Sequence, residues 1–220
     1  MLEVIPAILT DDPRELKEKI RQVARLHESY GEVKRVQVDI VDGVFAKNHT
    51  VGLEALESIE TSLGLDVQLM TKDPTNWVEK SVRAMAGRII GQIEMMPSQE
   101  AFVRKVTEVG QQVGLAIDLP TPVSNLDQNI LMDVDVVLVM SVKAGFGGQK
   151  FDEKALKKIK DLDKIRAHDK APFKICVDGG INFGNIKLVV EAGADEVAVG
   201  KSLFDGDITQ NIEKLKKNAS

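Results

Sequence analysis

The sequence predicts an α/β protein built as a single (β/α)8 barrel, the TIM-barrel architecture, over residues 1–220. Short runs of β-branched residues alternate with longer amphipathic stretches along the whole chain. Strands separated by helices pair in parallel, since a parallel neighbour needs a crossover connection. Eight such units in 220 residues match the length of a closed (β/α)8 barrel.

Burial on both faces of a strand gives a nearly continuous apolar run, as is typical of parallel sheets. The run Val134–Met140 shows this pattern, with Asp135 as its single polar residue. The eight candidate strands, in chain order, are Glu3–Leu9, Lys34–Ile40, Leu65–Met70, Arg88–Ile93, Gly114–Asp118, Val134–Met140, Phe173–Val177 and Glu196–Val199.

The stretches between the strands carry apolar residues at helical spacing. In Pro13–His27, Leu16, Ile20 and Val23 recur three or four residues apart, and Asp12 precedes the proline as a candidate cap. The other predicted helices are Pro74–Ala84, Gln99–Val113, Glu153–Ala167 and Thr209–Lys217. An open doubly wound sheet is the alternative fold, and it is disfavoured because no Gly-x-Gly-x-x-Gly follows the first strand.

Composition excludes several classes of protein. The one cysteine, Cys176, rules out an intrachain disulfide and a cysteine-based zinc cluster, and it fits a reducing cytoplasm. No apolar run approaches the ~18–20 residues of a membrane span, and the N-terminus lacks a signal-peptide pattern. A net charge of −5 with 4% aromatic residues argues against a nucleic-acid surface. We therefore expect a cytoplasmic protein with neither a membrane nor a nucleic acid as its partner.

The active site of such a barrel lies at the C-terminal ends of its strands. There, Asp39 shares one face of its strand with Gln37, and Asp178 ends the seventh strand. Helices cover the outside of the barrel, so these polar residues must face its mouth. Two acids on opposite sides of the mouth suit a reaction in which one removes a proton from carbon and the other returns one. The alternative for Asp39 is a buried structural acid paired with backbone or lysine.

Glycines follow the last three strands. They form the segments Gly145-Phe146-Gly147-Gly148, Gly179-Gly180 and Gly200-Lys201. Glycine permits positive φ and lets backbone N–H groups approach an anion, and the loops after strands seven and eight are the usual phosphate site of this fold. The clusters therefore predict a phosphate site, with ordinary turn glycines as the alternative.

These motifs resemble those of the ribulose-phosphate 3-epimerase family. The resemblance rests mainly on Val38–Gly43, Val139–Val142, Gly145–Phe151 and Val177–Gly180. It implies a barrel of the ribulose-phosphate-binding type. It also implies an enzyme that interconverts ribulose 5-phosphate and xylulose 5-phosphate through an enediolate, with a bound metal.

Carried over by position, the resemblance assigns a role to each motif. Asp39 and Asp178 become the acid/base residues, while Met70 and Met140 flank the enediolate, with Gln68 also in the substrate site. The phosphate-binding residues become Gly145, Phe146, Gly147, Gly148, Gly179, Gly180, Gly200 and Lys201.

The chain departs from the family at the metal site. Gln37 and Gln68 stand where the family has its two metal-binding histidines. Neutral amide oxygens bind zinc or iron poorly, whereas carboxylate and carbonyl oxygens suit magnesium or manganese better. We therefore predict no tightly bound metal, and at most a weak Mg2+ or Mn2+ held by Asp39 and Asp178 with Gln37 and Gln68. Further departures are Ala7, Val41, Gln92, Lys143, Ala144 and Lys201.

Two functional hypotheses follow. The first is an epimerase of pentose-phosphate metabolism, or a close sugar-phosphate isomerase, that acts on a ketopentose or ketohexose phosphate. The second is a catalytically silent relative that binds a sugar phosphate or another phosphorylated ligand. The resemblance also implies a homo-oligomer.

Overall fold

The computed structural model describes residues 2–31, 33–169 and 173–219. Eight strands form a closed barrel in chain order, and every neighbouring pair is parallel. The predicted (β/α)8 fold is thus confirmed. The strands are β1 (Glu3–Ile8), β2 (Arg35–Val41), β3 (Gly64–Met70), β4 (Ala86–Gln92), β5 (Gln112–Ile117), β6 (Val136–Met140), β7 (Lys174–Asp178) and β8 (Glu196–Val199).

Helices surround the barrel and bury one face of each against the strands. They are α1 (Pro13–Tyr30), α2 (Val78–Arg83), α3 (Gln99–Glu108), α4 (Lys154–Asp169), α5 (Ile186–Glu191), α6 (Lys201–Phe204) and α7 (Ile208–Ala219). Short 3-10 helices span Leu53–Ala55, Pro74–Trp77, Ile93–Met95, Val123–Asn125 and Gln128–Asp133. In the described part of the chain, none of the helices combines the length and the apolar character that crossing a bilayer requires.

Local signals set the ends of α1. The Asp12 carboxylate accepts a hydrogen bond from the Arg14 backbone N–H, and Pro13 occupies the first turn, where its missing N–H costs nothing. Gly31, at φ +64°, ends the helix in the left-handed conformation. The predicted start is confirmed, while the helix runs past its predicted end at His27.

Three helical predictions were wrong in part. Residues 42–63 and 118–135, all described, contain only 3-10 turns, so two of the eight units lack an α-helix. The predicted helix Gln99–Val113 ends at Glu108, because Gly110 at φ +76° breaks it before β5 begins at Gln112. Pro74–Ala84 divides into a 3-10 turn followed by α2.

The barrel interior is apolar in the middle and polar at both ends. Its central layers pack side chains such as Ile90, Leu138 and Cys176. At the N-terminal end Arg88 lies between Asp66 and Glu196, and at the C-terminal end the interior opens into a cavity. Helices and loops cover the outer faces of the strands with a second, larger apolar core. The cavity end is therefore where the fold places a site.

Candidate active site

Asp39 and Asp178 face each other across the mouth of the barrel. Asp39 lies in β2 beside Gln68 of β3, and Asp178 ends β7 beside Met140 of β6. Their side chains are 6% and 8% exposed, respectively, and both line the cavity at this end. The structure brings together the two acids that the strand ends predict.

A single amide bridges the two acids. Gln37 Nε2 donates to Asp39 Oδ1 and to Asp178 Oδ2, each at 2.8 Å. The same nitrogen lies 2.8 Å from Gln68 Oε1. An amide has only two N–H bonds for these three acceptors, so at least two acceptors share one bond. Two carboxylates held beside the same amide nitrogen also repel each other, which favours a pair that is not fully ionised.

Burial governs the acidity of the pair. Burial raises the pKa of Asp178 to about 6, while the Gln37 amide and the Gly179 backbone N–H oppose that rise. Burial, and to a smaller extent the charge of Asp178, raise the pKa of Asp39 well above its ordinary value. The hydrogen bond from Gln37 lowers this pKa but does not cancel the rise. Both shifts favour the protonated carboxyl, so the pair resists losing both protons, and a pair that keeps one proton provides one acid and one base.

The cavity has a volume of about 950 Å³, and most of the predicted site residues line it. Asp39, Asp178, Met70, Met140, Gly145, Phe146, Gly147, Gly148, Gly179, Gly180, Gly200 and Lys201 all line it. Gln37 and Gln68 are instead fully buried beneath its floor. A direct substrate contact by Gln68 stays a prediction.

Positive φ angles explain the glycines around the cavity. Gly145, Gly148, Gly179 and Gly180 have φ of +98°, +74°, +113° and +63°, respectively. At Gly180 a Cβ would meet the backbone nitrogen of Phe151 at 2.4 Å. These positions require glycine, and the turns that they make line the mouth with backbone.

Polar side chains missed by the sequence reasoning hold these loops together. Ser141 joins the loops after β6 and β7, since its backbone N–H and hydroxyl both donate to the Asp178 carbonyl, at 2.7 and 2.9 Å. The Asn182 and Asn185 side chains donate to the Gly180 carbonyl at 3.1 and 2.9 Å. The spacing of asparagines after a Gly-Gly pair is the signal that predicts such turn-stabilising bonds.

The donor set does not fit a tightly bound zinc or iron ion. Gln37 points N–H hydrogens, rather than an oxygen, at both carboxylates, so the positive end of its dipole lies where a cation would bind. Gln68 offers its oxygen to Gln37 and its nitrogen to Met140 Sδ at 3.2 Å. Neither residue supplies the imidazole nitrogen that such metals prefer.

Fold and site together define a (β/α)8 protein with a buried acid pair beside a glycine-lined cavity. The sequence model of the ribulose-phosphate 3 epimerase family matches residues 3–204. The chain therefore belongs to this family.

Comparisons with individual proteins agree. The chain is 35% identical to the ribulose-phosphate 3-epimerase of Aquifex aeolicus over 214 residues, covering 96% of this chain and 94% of that protein. It is 32% identical to the ribulose-phosphate 3-epimerase of Bacillus subtilis over 207 residues, covering 93% of each. A crystal structure of 3-hexulose-6-phosphate synthase superposes with a TM-score of 0.66 at 14% identity, over 100% of this chain and 99% of that one, and shows the shared fold.

Proposed function

We propose that this protein is an epimerase that interconverts ribulose 5-phosphate and xylulose 5-phosphate by two-aspartate proton transfer. The observation that carries the proposal is the pair of buried, amide-bridged carboxyls in the same cavity as the glycine loops. Relatives named for this activity, at 32% and 35% identity over nearly the whole chain, support the substrate.

The pair supplies both proton transfers. The ionised carboxyl removes the proton from C3, and the C–H electrons form a C2–C3 double bond while the ketone oxygen takes the negative charge. The protonated carboxyl then gives its proton to the opposite face of C3, and the ketone re-forms. Each turnover exchanges the protonation states of Asp39 and Asp178, as a reversible epimerisation requires.

Neutral groups stabilise the enediolate in this proposal. Gln37 Nε2 donates to both acids and the Gly179 backbone N–H donates to Asp178, and donors aimed at developing charge lower the barrier. Met70 and Met140 line the cavity beside the acids with polarisable sulfur. Amide donors carry no net charge, so we expect slower turnover than a cation would give.

The phosphate occupies the glycine side of the cavity. Backbone N–H groups of the loops containing Gly147, Gly179 and Gly200 surround it, and Lys201 adds a positive charge. This placement puts the sugar carbons toward the aspartates.

Proton exchange tests the proposal directly. Incubation with ribulose 5-phosphate in D2O should place deuterium at C3, detected by proton NMR as loss of the C3–H signal. Asp39→Asn and Asp178→Asn should each abolish epimerisation while keeping the fold. Absence of exchange with several ketose phosphates, with and without divalent metals, would contradict the proposal.

The alternative is a catalytically silent protein that binds a phosphorylated ligand. The observation in its favour is Gln37, which hydrogen-bonds both acids at once and occupies lone pairs that a base would use. Thermal stabilisation by a sugar phosphate without C3 exchange would support this alternative. A ligand at 100 times its Kd should stabilise the fold by about 2.7 kcal/mol.

A further inference from the structure

The loop after β2 lies against the loop after β6 at the edge of the cavity. We call residues 42–50 the β2 loop and residues 141–150 the β6 loop. Asn48 Nδ2 of the β2 loop donates to the Gly145 carbonyl of the β6 loop at 2.7 Å. At Gly145, an added Cβ would lie 2.5 Å from the Ala46 Cβ. The tip of the β2 loop therefore meets the β6 loop at the residue where its glycine segment, residues 145–148, begins.

The β2 loop is fixed to the barrel. The Thr50 hydroxyl accepts from the Val41 backbone N–H and donates to the Asp39 carbonyl, both at 2.9 Å. One oxygen of the Asp42 carboxylate accepts from two backbone N–H groups of the loop, each at 2.9 Å. Its other oxygen accepts from the Lys72 backbone N–H at 2.7 Å. Asn48 is thus carried on a loop that is tied to β2 at both of its ends.

Asn48 restrains the glycine segment from outside the β6 loop. Asp118 Oδ1 accepts from the Ala144 backbone N–H at 2.7 Å, which holds the residue just before the segment. Gln149 Nε2 donates to two carbonyls of the β6 loop, at 2.7 and 2.8 Å, but Gln149 belongs to that loop and moves with it. Within the described residues, Asn48 is the one side chain from elsewhere in the chain that hydrogen-bonds to residues 145–148.

The glycine segment needs such a restraint. Gly145 and Gly148 have φ of +98° and +74°, and glycine also enters other regions of φ and ψ at little cost. Phe146, the one large side chain of the segment, is 40% exposed and packs only in part. An anion site made of backbone N–H groups binds well when the loop already has its binding shape before the ligand arrives. A hydrogen bond from a fixed neighbour supplies that preorganisation.

We propose that Asn48 is a positioning residue that holds residues 145–148 in the conformation that binds the phosphate of the substrate. This role rests on the proposed function, which places the phosphate beside these backbone N–H groups. Asn48 is not one of the described residues that line the cavity, so it acts through Gly145 rather than by touching the substrate.

Asn48→Ala should loosen the glycine segment in the protein without ligand. We expect the 15N order parameters of Gly147 and Gly148 to fall by about 0.2, from the range of rigid backbone toward that of flexible loops. Gln99→Ala is the matched control, because Gln99 Nε2 also donates to a backbone carbonyl of another connection, that of Asn125, at 2.7 Å. Order parameters at Gly147 and Gly148 that are equal in Asn48→Ala and in wild type overturn the proposal.

Inorganic phosphate measures the consequence for binding without turnover. In an NMR titration, the Kd for phosphate should rise about fivefold in Asn48→Ala, because the cost of ordering the loop is then met in the binding step. The Kd should be unchanged in Gln99→Ala. A role in overall stability alone would lower Tm and leave the Kd of the folded protein as it is, so an unchanged Kd in Asn48→Ala overturns the proposal.

Asn48→Leu separates the hydrogen bond from the size of the side chain. Leucine is close to asparagine in size and has no N–H to donate, so this variant should weaken phosphate binding as Asn48→Ala does. Wild-type affinity in Asn48→Leu would show that packing rather than the bond to the Gly145 carbonyl holds the segment, and the proposal would be wrong.

Kinetics distinguish this role from the proposed function. If the protein is an epimerase, KM for ribulose 5-phosphate should rise by about the same factor as the phosphate Kd in both Asn48 variants. Their kcat should stay within about twofold of wild type, because the phosphate is held equally in the ground state and the transition state. A wild type that binds phosphate without exchanging the C3 proton would contradict the epimerase and leave the role of Asn48 to the binding titration. A wild type that binds no phosphate would contradict both.

Discussion

Asp39 and Asp178 are bridged by the neutral Gln37 amide, and among the described residues neither acid is hydrogen-bonded to a cationic side chain. A carboxyl whose pKa is raised on folding holds its proton more tightly in the folded protein than in the unfolded chain. Its contribution to stability is present below the unfolded pKa near 4 and is lost as pH rises through the folded pKa, which is about 6 for Asp178. The pair therefore lowers the stability of the fold at the pH where it would work.

Replacing one acid should raise stability and abolish activity. Asp178→Asn removes a buried charge, so at pH 8 we expect a gain of roughly 1–3 kcal/mol in the free energy of unfolding, shrinking toward zero near pH 4. Urea denaturation at both pH values measures it. Asp11→Asn, at an exposed position, is the control. A loss of stability at pH 8, or an equal gain at both pH values, would contradict the expectation.

The glutamines at the family's metal-ligand positions lead to a second prediction, which concerns the metal content of the purified protein. Protein purified without added metal should contain far less than one equivalent of zinc, iron or manganese by elemental analysis, because Gln37 and Gln68 supply no imidazole. The double change Gln37→His plus Gln68→His restores two nitrogen ligands beside Asp39 and Asp178 and should create metal binding. Near-stoichiometric metal in the unmodified protein would show that the amides are adequate ligands.

Successive side chains of a strand point to opposite faces, and this alternation made the positions of the two acids predictable. Asp39 and Asp178 stand at strand ends, where one residue in two must face the barrel mouth, and the structure places both there. The bridging of the two acids by Gln37 was not predictable in the same way. Which atom of an amide faces which neighbour depends on side chains from different strands, and one sequence does not record those distances.

At the scale of the elements, the loops after β6 and β7 make their turns through backbone geometry. Gly180 combines a φ of +63° with contacts in which an added Cβ would meet the Phe151 nitrogen at 2.4 Å and the Gln149 carbonyl oxygen at 2.9 Å. Both contacts are with backbone atoms, so a side chain at position 180 must displace the neighbouring loop.

Gly180→Ala should therefore damage the site more than the fold. We expect KM for the sugar phosphate to rise at least about tenfold, together with a stability loss of about 1–3 kcal/mol. Gly31→Ala is a close control, since Gly31 has φ +64° and open space at its Cβ position among the described residues. Steady-state kinetics and thermal melting compare the two. Equal KM values in both variants would show that the loop adapts without disturbing the cavity.

Helix prediction succeeded where periodicity and caps agreed and failed where connections were short. Around α1 the apolar spacing, Asp12 and Pro13 all point to the same start. Between β5 and β6 the segment Gln128–Asp133 buries Ile130 and Leu131 yet forms only a 3-10 turn. An apolar segment must cover the outer face of each pair of neighbouring strands. Between β5 and β6 a 3-10 turn provides that cover in place of an α-helix.

At the scale of the whole molecule, the barrel separates function from stability between its two ends. Arg88 projects into the N-terminal end, where its guanidinium nitrogens lie 2.5 Å from Asp66 Oδ2 and 2.7 Å from Glu196 Oε2. Lys174 reaches Glu196 at 2.8 Å from the rim. The sequence reasoning did not single out this cluster, because its members are far apart along the chain and meet only when the barrel closes.

The charge balance of this cluster makes it sensitive to loss of Arg88. Burial raises the pKa of Asp66 to about 6 even though Arg88 and Arg35 lower it. Near pH 7.5, Arg88→Met would leave Asp66 buried with Arg35, at 3.6 Å, as its remaining described cation. Removing one partner of a buried ion pair costs about 3–5 kcal/mol, which is a large fraction of the stability of a domain.

We therefore expect Arg88→Met to lower the free energy of unfolding by about 3–5 kcal/mol at pH 7.5 and by less at pH 5, where Asp66 takes up a proton and ceases to be an uncompensated charge. Urea denaturation at the two pH values measures the difference. Arg104→Met, at an exposed arginine of α3, controls for the loss of one positive charge. Because the cluster lies at the opposite end of the barrel from the aspartates, kcat of the folded fraction should stay unchanged. A pH-independent loss no larger than that of Arg104→Met would show that the buried charges are already compensated by water or by backbone.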